Sequence, residues 1–256
     1  GLFFFGILTL AGDLISTPIS LYRNFVIEEK FGFNKMTLNT FIMDKLKGYL
    51  LMVIIGAPII SLLLYFFESF GNSAWLYAWG LIAVFSLAMQ PIFNLVIAPM
   101  FNKFTPLEDG NLLDKIKDYV KSVDFPIARV DVMDGSKRSS HSNAYFSGIG
   151  KNKRIALFDT LIEKQSEDEI LAVIAHEVGH YKRKHVQKGI VFGIIQTGIM
   201  LFMLSLFINN RGLFDAFKMQ ELSVYASLLF FTLLYTPIDF DVKRQASLAA
   251  PLRKSP

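Results

Sequence analysis

The sequence contains no cysteine. That excludes a disulfide framework and any thiolate metal site, so a transition metal could sit only on histidine and carboxylate ligands. Histidine is itself scarce, with 4 in 256 residues. A strong excess of either charge is also missing. The net charge is +4, and the basic residues alternate with acids and form no stripe, which argues against nucleic acid as a partner. No internal repeat or low-complexity segment is visible. The chain opens on Gly1, not methionine, and runs straight into apolar sequence. This start reads as a fragment or a processed chain, and it lacks the basic segment that would precede a signal-peptide core.

Apolar residues are what the chain has in plenty. They make up 52% of it, with 25 Phe and a mean hydropathy of +0.40. Soluble domains hold roughly 45–50% apolar residues with glycine counted in. Long apolar runs span Leu2–Tyr22, Leu50–Phe67, Trp75–Phe101 and Gly189–Ile208, with a shorter one at Leu222–Ile238. About 20 apolar residues carry a helix across a bilayer, so these runs predict membrane spans and the lipid bilayer as a partner. Pro58, Pro91 and Pro99 are tolerable inside such helices. Asp13 interrupts the first run, and an ionisable residue there is a hint of function.

Between the runs, Lys and Arg number five in Arg23–Lys47, none in Glu68–Ala74, fifteen in Asn102–Lys188, two in Asn209–Glu221 and four after Asp241. This alternation follows the positive-inside rule and predicts that the central segment faces the cytoplasm. That segment, Asn102–Lys188, also carries thirteen Asp and Glu, and it reads as an aqueous mixed α/β domain. Apolar spacing predicts a helix over Asn111–Ser122. Alternation predicts strands at Arg129–Met133, Ala144–Phe146 and Arg154–Phe158, with a polar turn from Gly135. Ser166 with Glu169 forms a capping box, opening a helix that runs through Ile170, Val173, Ile174 and Val178 to about Lys184. The expected organisation is membrane helices over 1–101, the aqueous domain over 102–188, a membrane pair over 189–240 and an incomplete C-terminal segment over 241–256.

The capped helix carries His176-Glu177-Val178-Gly179-His180, the pattern H-E-x-x-H. Residues i and i+4 share a helix face, so both imidazoles can reach one metal ion. Glu177 projects beside that ion, where it can take a proton from water and pass it to a leaving amine. The spacing predicts a zinc protease. The uncharged residues between the histidines and over Ala172–Ala175 suit a buried site. His185 falls off the ligand face among Lys182, Arg183 and Lys184 and reads as solvated or membrane-proximal rather than as a ligand, and His141 receives no role. A protease must also hold an extended peptide, which an exposed strand edge does by main-chain pairing. Asn143-Ala144-Tyr145-Phe146 is the candidate, either as such an edge or as a plain core strand.

The segments VMDGSKRSSHSNAYF (Val132–Phe146), KRIALFDTLI (Lys153–Ile162) and AVIAHEVGHYK (Ala172–Lys182), with GFN at Gly32–Asn34 and PLEDG at Pro106–Gly110, closely resemble the CAAX prenyl endopeptidases. The resemblance covers residues from about 10 to about 240. It implies a mostly α, multi-pass helical cage enclosing an intramembrane chamber, with an inserted mixed α/β zinc-protease domain. It further implies Zn2+ held by His176 and His180, Glu177 as base, and Asn143, Ala144 and Tyr145 as the substrate strand. The substrate it implies is a peptide or prenylated protein that loses its last three residues. Members of that family take a third zinc ligand from a Glu in an E-x-x-A-D-like motif after the later spans. Here Glu221 is the only Glu after Glu177, and it falls in an expected outer loop. Asp239 and Asp241 are better placed but lack the motif, and the tail resembles the family only around Arg244–Ala246. Either the third ligand is missing from this chain or another group substitutes. Rival readings are a membrane quality-control protease, an inactive membrane scaffold and a transporter. Both a bacterial inner membrane and an endoplasmic reticulum membrane fit a cytoplasm-facing domain.

Overall fold

The computed structural model describes residues 1–148, 153–208, 210–221, 223 and 226–233. In chain order the helices are α1 (Leu2–Tyr22), α2 (Leu38–Leu51), α3 (Ala57–Ser69), α4 (Ala74–Ile92), α5 (Ala98–Phe101), α6 (Asn111–Ser122), α7 (Asp159–Lys164), α8 (Glu167–Lys182), α9 (His185–Ile208) and α10 (Arg211–Ala216). The strands are β1 (Phe104–Pro106), β2 (Arg129–Met133), β3 (Ala144–Ser147) and β4 (Arg154–Phe158). Residues 226–233 are also helical, and the rest of the expected fifth span lies outside the described residues.

Several helices run into one another through π-helical turns. The continuous stretches Leu2–Glu28, Leu38–Ser69, Gly71–Phe101 and His185–Ile208 are each long and apolar enough to cross a membrane. The second begins twelve residues earlier than the apolar run from Leu50, because Thr37 caps α2 by accepting the Thr40 N–H at 3.2 Å. Proline lacks an N–H and its ring crowds the carbonyl four residues back. The π turns Met52–Gly56 and Phe93–Ile97 stand immediately before Pro58 and Pro99, where a wider turn relieves that crowding. No residue of α1 is buried, so its apolar side chains, among them Ile7, Leu14 and Ile19, are left for lipid.

The chain divides into two compact units. One comprises Gly1, Pro58–Ala83 and Gly193–Pro256. Its core gathers Phe67, Ala74, Ala78, Leu201, Leu204, Ile208 and Phe231. Within it, Trp79 donates its indole N–H to the Ile194 carbonyl at 2.8 Å, and the same ring lies over Gly198, where a Cβ would come within 2.9 Å of it.

The other unit, Leu2–Ala57 with Val84–Phe192, contains the whole aqueous region. Its four strands lie in the order β1-β2-β4-β3. β2 and β4 are parallel, while β1 and β3 each pair antiparallel with their neighbour. Ile155, Ala156 and Leu157 of β4 are buried in succession, as a strand covered on both faces should be. β1 and α7 are too short to show a period in the sequence, whereas α6, β2 and β4 have the bounds their periodicity predicts. Leu113, Ile116 and Val120 of α6 pack with Ile170, Ile174 and Val178 of α8 in one core.

The α8 start is built as the capping box predicts. Ser166 Oγ accepts the Glu169 N–H at 3.4 Å, and the Glu169 carboxylate accepts the Ser166 N–H at 2.8 Å. Those bonds hold the Glu169 carboxyl below the usual carboxylate range. Lys115 of α6 meets Asp168 at 2.8 Å and Glu167 at 3.1 Å, and the Asp168 bond leads in raising its pKa.

Two outcomes follow for unfolding measurements. Leu157→Ala, which empties a fully buried position, lowers stability by about 2–5 kcal/mol, read by denaturant unfolding in detergent. Because the folded Glu169 pKa is depressed, the box contributes fully above the unfolded value of about 4.3 and is lost as pH falls through the lower folded value. Glu169→Gln therefore flattens the acid limb of the stability curve and leaves a narrower gap to the parent at low pH than at neutral pH.

Candidate metal centre

His176, Glu177, His180, Asn143, Ala144 and Tyr145 all belong to the larger unit, on α8, on β3 or in the loop that enters β3. On α8, the buried stripe Ile170–Ile174–Val178 turns one side of the helix to the core. At 3.6 residues per turn, the midpoint of His176 and His180 lies about 140° round the helix from that stripe. The Nε2 atoms of His176 and His180 are 3.0 Å apart. Two zinc–nitrogen bonds of about 2.0–2.1 Å at a tetrahedral angle set such atoms about 3.3 Å apart. The imidazole pair therefore fits a zinc ion, with the Glu177 carboxylate on the adjoining position. Among the described residues no group of three His, Asp or Glu is disposed to hold a metal. Glu221 is exposed, and Asp239, Asp241 and the tail around Arg244–Ala246 lie outside the described residues.

Two expectations change. His176 is exposed and His180 and Glu177 are half-buried, so the uncharged sequence around them serves the core face of α8 and does not bury the histidines. His185 is exposed, as expected, but it does not stand apart. Its Nδ1 lies 2.8 Å from the Nδ1 of His180. The straight-helix spacing that removes residue i+5 from the ligand face fails because α8 ends first. Arg183 closes it, and Lys184 adopts a left-handed φ of 55° with its N–H on the Tyr181 carbonyl at 2.8 Å. The chain turns there, and α9 starts at His185. No periodicity in the sequence signals that turn.

β3 is an edge strand of the described sheet. Phe158 donates its N–H to the Asn143 carbonyl at 3.0 Å. In an antiparallel pair, inward and outward groups alternate, so residues 143, 145 and 147 bond to β4. The main-chain groups of Ala144 and Phe146 then point to the outer edge. Asn143 Oδ1 takes the Ala144 N–H at 2.8 Å, leaving the Ala144 carbonyl and both groups of Phe146 for an added strand. Ala144 and Phe146 side chains pack into the core. The Tyr145 hydroxyl points to Met133 Sδ at 3.8 Å, and burial pushes its pKa above the ordinary phenol value.

A cavity of about 850 Å³ joins these parts. Tyr145–Gly148 of the edge strand, Glu177, His180 and Tyr181 of α8, and Phe85, Met89 and Phe93 of the membrane stretch all line it. The π turn at Phe93–Ile97 shapes this wall. Asn94 Nδ2 donates to the Gln90 carbonyl at 3.0 Å, and Arg154 Nη2 donates to the Asn94 carbonyl at 2.7 Å.

Arg138 sets the loop that enters β3, a role the sequence did not reveal. Its Nε and Nη2 donate to the Asp44 carboxylate at 2.7 and 2.8 Å, its Nη1 to Asn102 Oδ1 at 2.6 Å, and Nη2 also to the Phe101 carbonyl at 2.8 Å. Ser139 bridges to Asn34, and the His141 ring stacks on Phe33 at 4.4 Å. The GFN and SKRSSHS segments, distant in sequence, thus meet.

Membrane-length helices, an aqueous mixed sheet with a free edge, and an H-E-x-x-H helix beside that edge define a class, the multi-pass membrane metallopeptidases. Residues 106–250 match the model of peptidase family M48, and residues 1–103 match that described as the CAAX prenyl protease N-terminal region with five membrane helices. The chain belongs to peptidase family M48. It is 42% identical over 240 residues to the CAAX prenyl protease 1 homolog of Oryza sativa subsp. japonica, covering 90% of this chain and 56% of that protein. Against CAAX prenyl protease 1 of Saccharomyces cerevisiae the identity is 38%, over 96% of this chain and 58% of that one. The crystal structure of S. mikatae Ste24p superposes with a TM-score of 0.89 at 37% identity, covering 96% of this chain and 61% of that one. The chain thus spans less than two thirds of the length of each.

Removing the guanidinium in Arg138→Met leaves the partly buried Asp44 carboxylate unpaired, and stability falls by about 1.5–3 kcal/mol. The double variant with Asp44→Asn loses less than the sum of the single losses, which a double-mutant cycle of denaturant unfolding in detergent reads directly.

Proposed function

We propose that the chain forms the catalytic part of a membrane zinc endopeptidase that removes the C-terminal three residues from isoprenylated CAAX proteins. The observation that carries this reading is the single cavity lined by Glu177, His180 and the free edge of β3. The names of the similar proteins support the substrate class.

In this reading His176 and His180 would hold zinc, and the described residues add no third ligand beside them. Bound zinc lowers the pKa of its water towards about 7 and polarises the scissile carbonyl. Glu177 receives the proton of the attacking water on its carboxylate and hands it to the leaving amine. The His185 ring against Nδ1 of His180 orients that imidazole so that Nε2 faces the pair. The substrate backbone adds to β3 at the Ala144 carbonyl and the Phe146 amide and carbonyl, and the Phe85, Met89 and Phe93 side chains offer apolar surface to an isoprenyl chain. Asn143 supports the strand by filling the Ala144 amide, and Tyr145 faces the sheet from the same edge. The aqueous region over 102–188 faces the cytoplasm, between membrane helices over 1–101 and 189–240, with 241–256 as a C-terminal segment. The lysine and arginine counts of the connections support that orientation.

The test combines metal analysis with peptide cleavage by the full-length protein in detergent. About one zinc per chain is expected, lost in His180→Ala. Glu177→Gln retains the metal while cleavage of a farnesylated peptide falls by about 10²–10⁴. Absence of zinc above the His180→Ala control sinks the reading and leaves an inactive scaffold. Equal cleavage of unprenylated unfolded proteins points instead to quality control.

A further inference from the structure

Lys153 is a buried residue of the cavity that the proposed chemistry leaves unused. It is 6% exposed, yet its ammonium meets no carboxylate among the described residues. Its Nζ lies over two rings, 4.0 Å from the Tyr181 centroid and 4.8 Å from that of Phe125. The two rings pack edge to face at 4.9 Å, so they form a fixed corner. Ring faces return about 0.5–2 kcal/mol to a cation, whereas withdrawing an ammonium from water costs several kcal/mol after relaxation. The rings offset only part of that cost, and the ammonium has no counter-charge among the described residues. The ammonium is also not sealed away. Asp131 Oδ2 is the single fully buried side-chain polar atom without a hydrogen-bond partner among the described residues, and Lys153 lines the cavity together with Lys184, Glu177 and His180.

Its place in the sheet says what kind of anion can reach it. Ser147 at the end of β3 pairs with Arg154, so Lys153 lies just past that end of the edge. Tyr181, on which the ammonium rests, directly follows His180 in α8. An extended peptide rises about 3.3 Å per residue, so a strand added to β3 passes Lys153 within a few residues of the scissile bond. If it pairs antiparallel, the residues preceding the cut run towards Lys153. If parallel, the chain end does.

We infer that Lys153 is the cation of a carboxylate subsite in this cavity, which selects peptide substrates carrying a carboxylate a few residues from the cut. This rests on the proposed peptidase reading. The carboxylate is either an acidic side chain before the cut or the terminal carboxylate after it. Both present the same group to the ammonium.

The experiment measures binding, not turnover, so that it does not depend on activity. Full-length protein carrying Glu177→Gln is titrated with a farnesylated peptide that has Glu residues upstream of the cysteine and a free C-terminus. Two analogues are compared, one with those Glu residues changed to Gln and one amidated at the C-terminus. Loss of one carboxylate should weaken binding by about 30-fold or more, as for truncating a buried charge pair. The analogue that loses affinity identifies the source. Lys153→Met in the same background should bring the parent peptide down to the affinity of that analogue and leave the analogue's own affinity unchanged. Equal binding of all three peptides overturns the subsite and leaves the peptidase reading standing. So does an equal loss for all three in Lys153→Met, which would make Lys153 a packing residue only. Failure to bind any of the peptides overturns the subsite together with the reading on which it rests. The ligand-side comparison remains decisive even if Lys153→Met does not fold.

Discussion

The burial of Ile170, Ile174 and Val178 is the constraint on which the site depends. These residues pack one face of α8 into the core shared with α6 and the sheet, and a helix has no freedom to rotate once such a stripe is buried. The direction of His176 and His180 follows, as does the placing of Glu177 between the core and the histidines. The same packing brings α8 against β3, so Glu177, His180 and the free strand edge open into one cavity. Core hydrophobes and site polar groups are thus two faces of one sixteen-residue element.

A second constraint acts in the membrane stretches. In lipid every main-chain polar group needs a protein partner, and the prolines and π turns release carbonyls that need one. The protein meets that need with side chains from elsewhere in the unit, as Arg154 does at Asn94 and Lys47 does at the Met100 carbonyl, 2.6 Å away. Asp13, conspicuous in the first apolar run, serves cohesion in the same way. Its carboxylate takes Lys45 Nζ at 2.7 and 2.6 Å and the Tyr49 hydroxyl, joining α1 to α2. A charge in an apolar run hinted at function, and the observed role is a paired anchor between helices.

Much of this was legible before the fold was known. The bounds of α6, β2 and β4, the capping box and the start of α8 all follow from periodicity or from a local pairing of side chain and backbone. H-E-x-x-H was readable because its meaning is confined to one helical turn. The failures share a cause. His185 joins His180 only because Lys184 breaks the helix, Arg138 matters only because Asp44 and Asn102 approach it, and Lys153 looks like one more surface lysine until Phe125 and Tyr181 enclose it.

The sequence by itself determined α6, β2, β4, the start of α8 and the four described membrane-length stretches, and it set His176 and His180 on one helix face, because each depends on residues within a few turns of one another. Only the tertiary structure decided that β3 is an edge, that its free main-chain groups share a cavity with Glu177 and His180, and that a buried lysine faces that cavity. Those facts depend on which distant segments pack together, and packing is set by the sum of many weak contacts that no local pattern records.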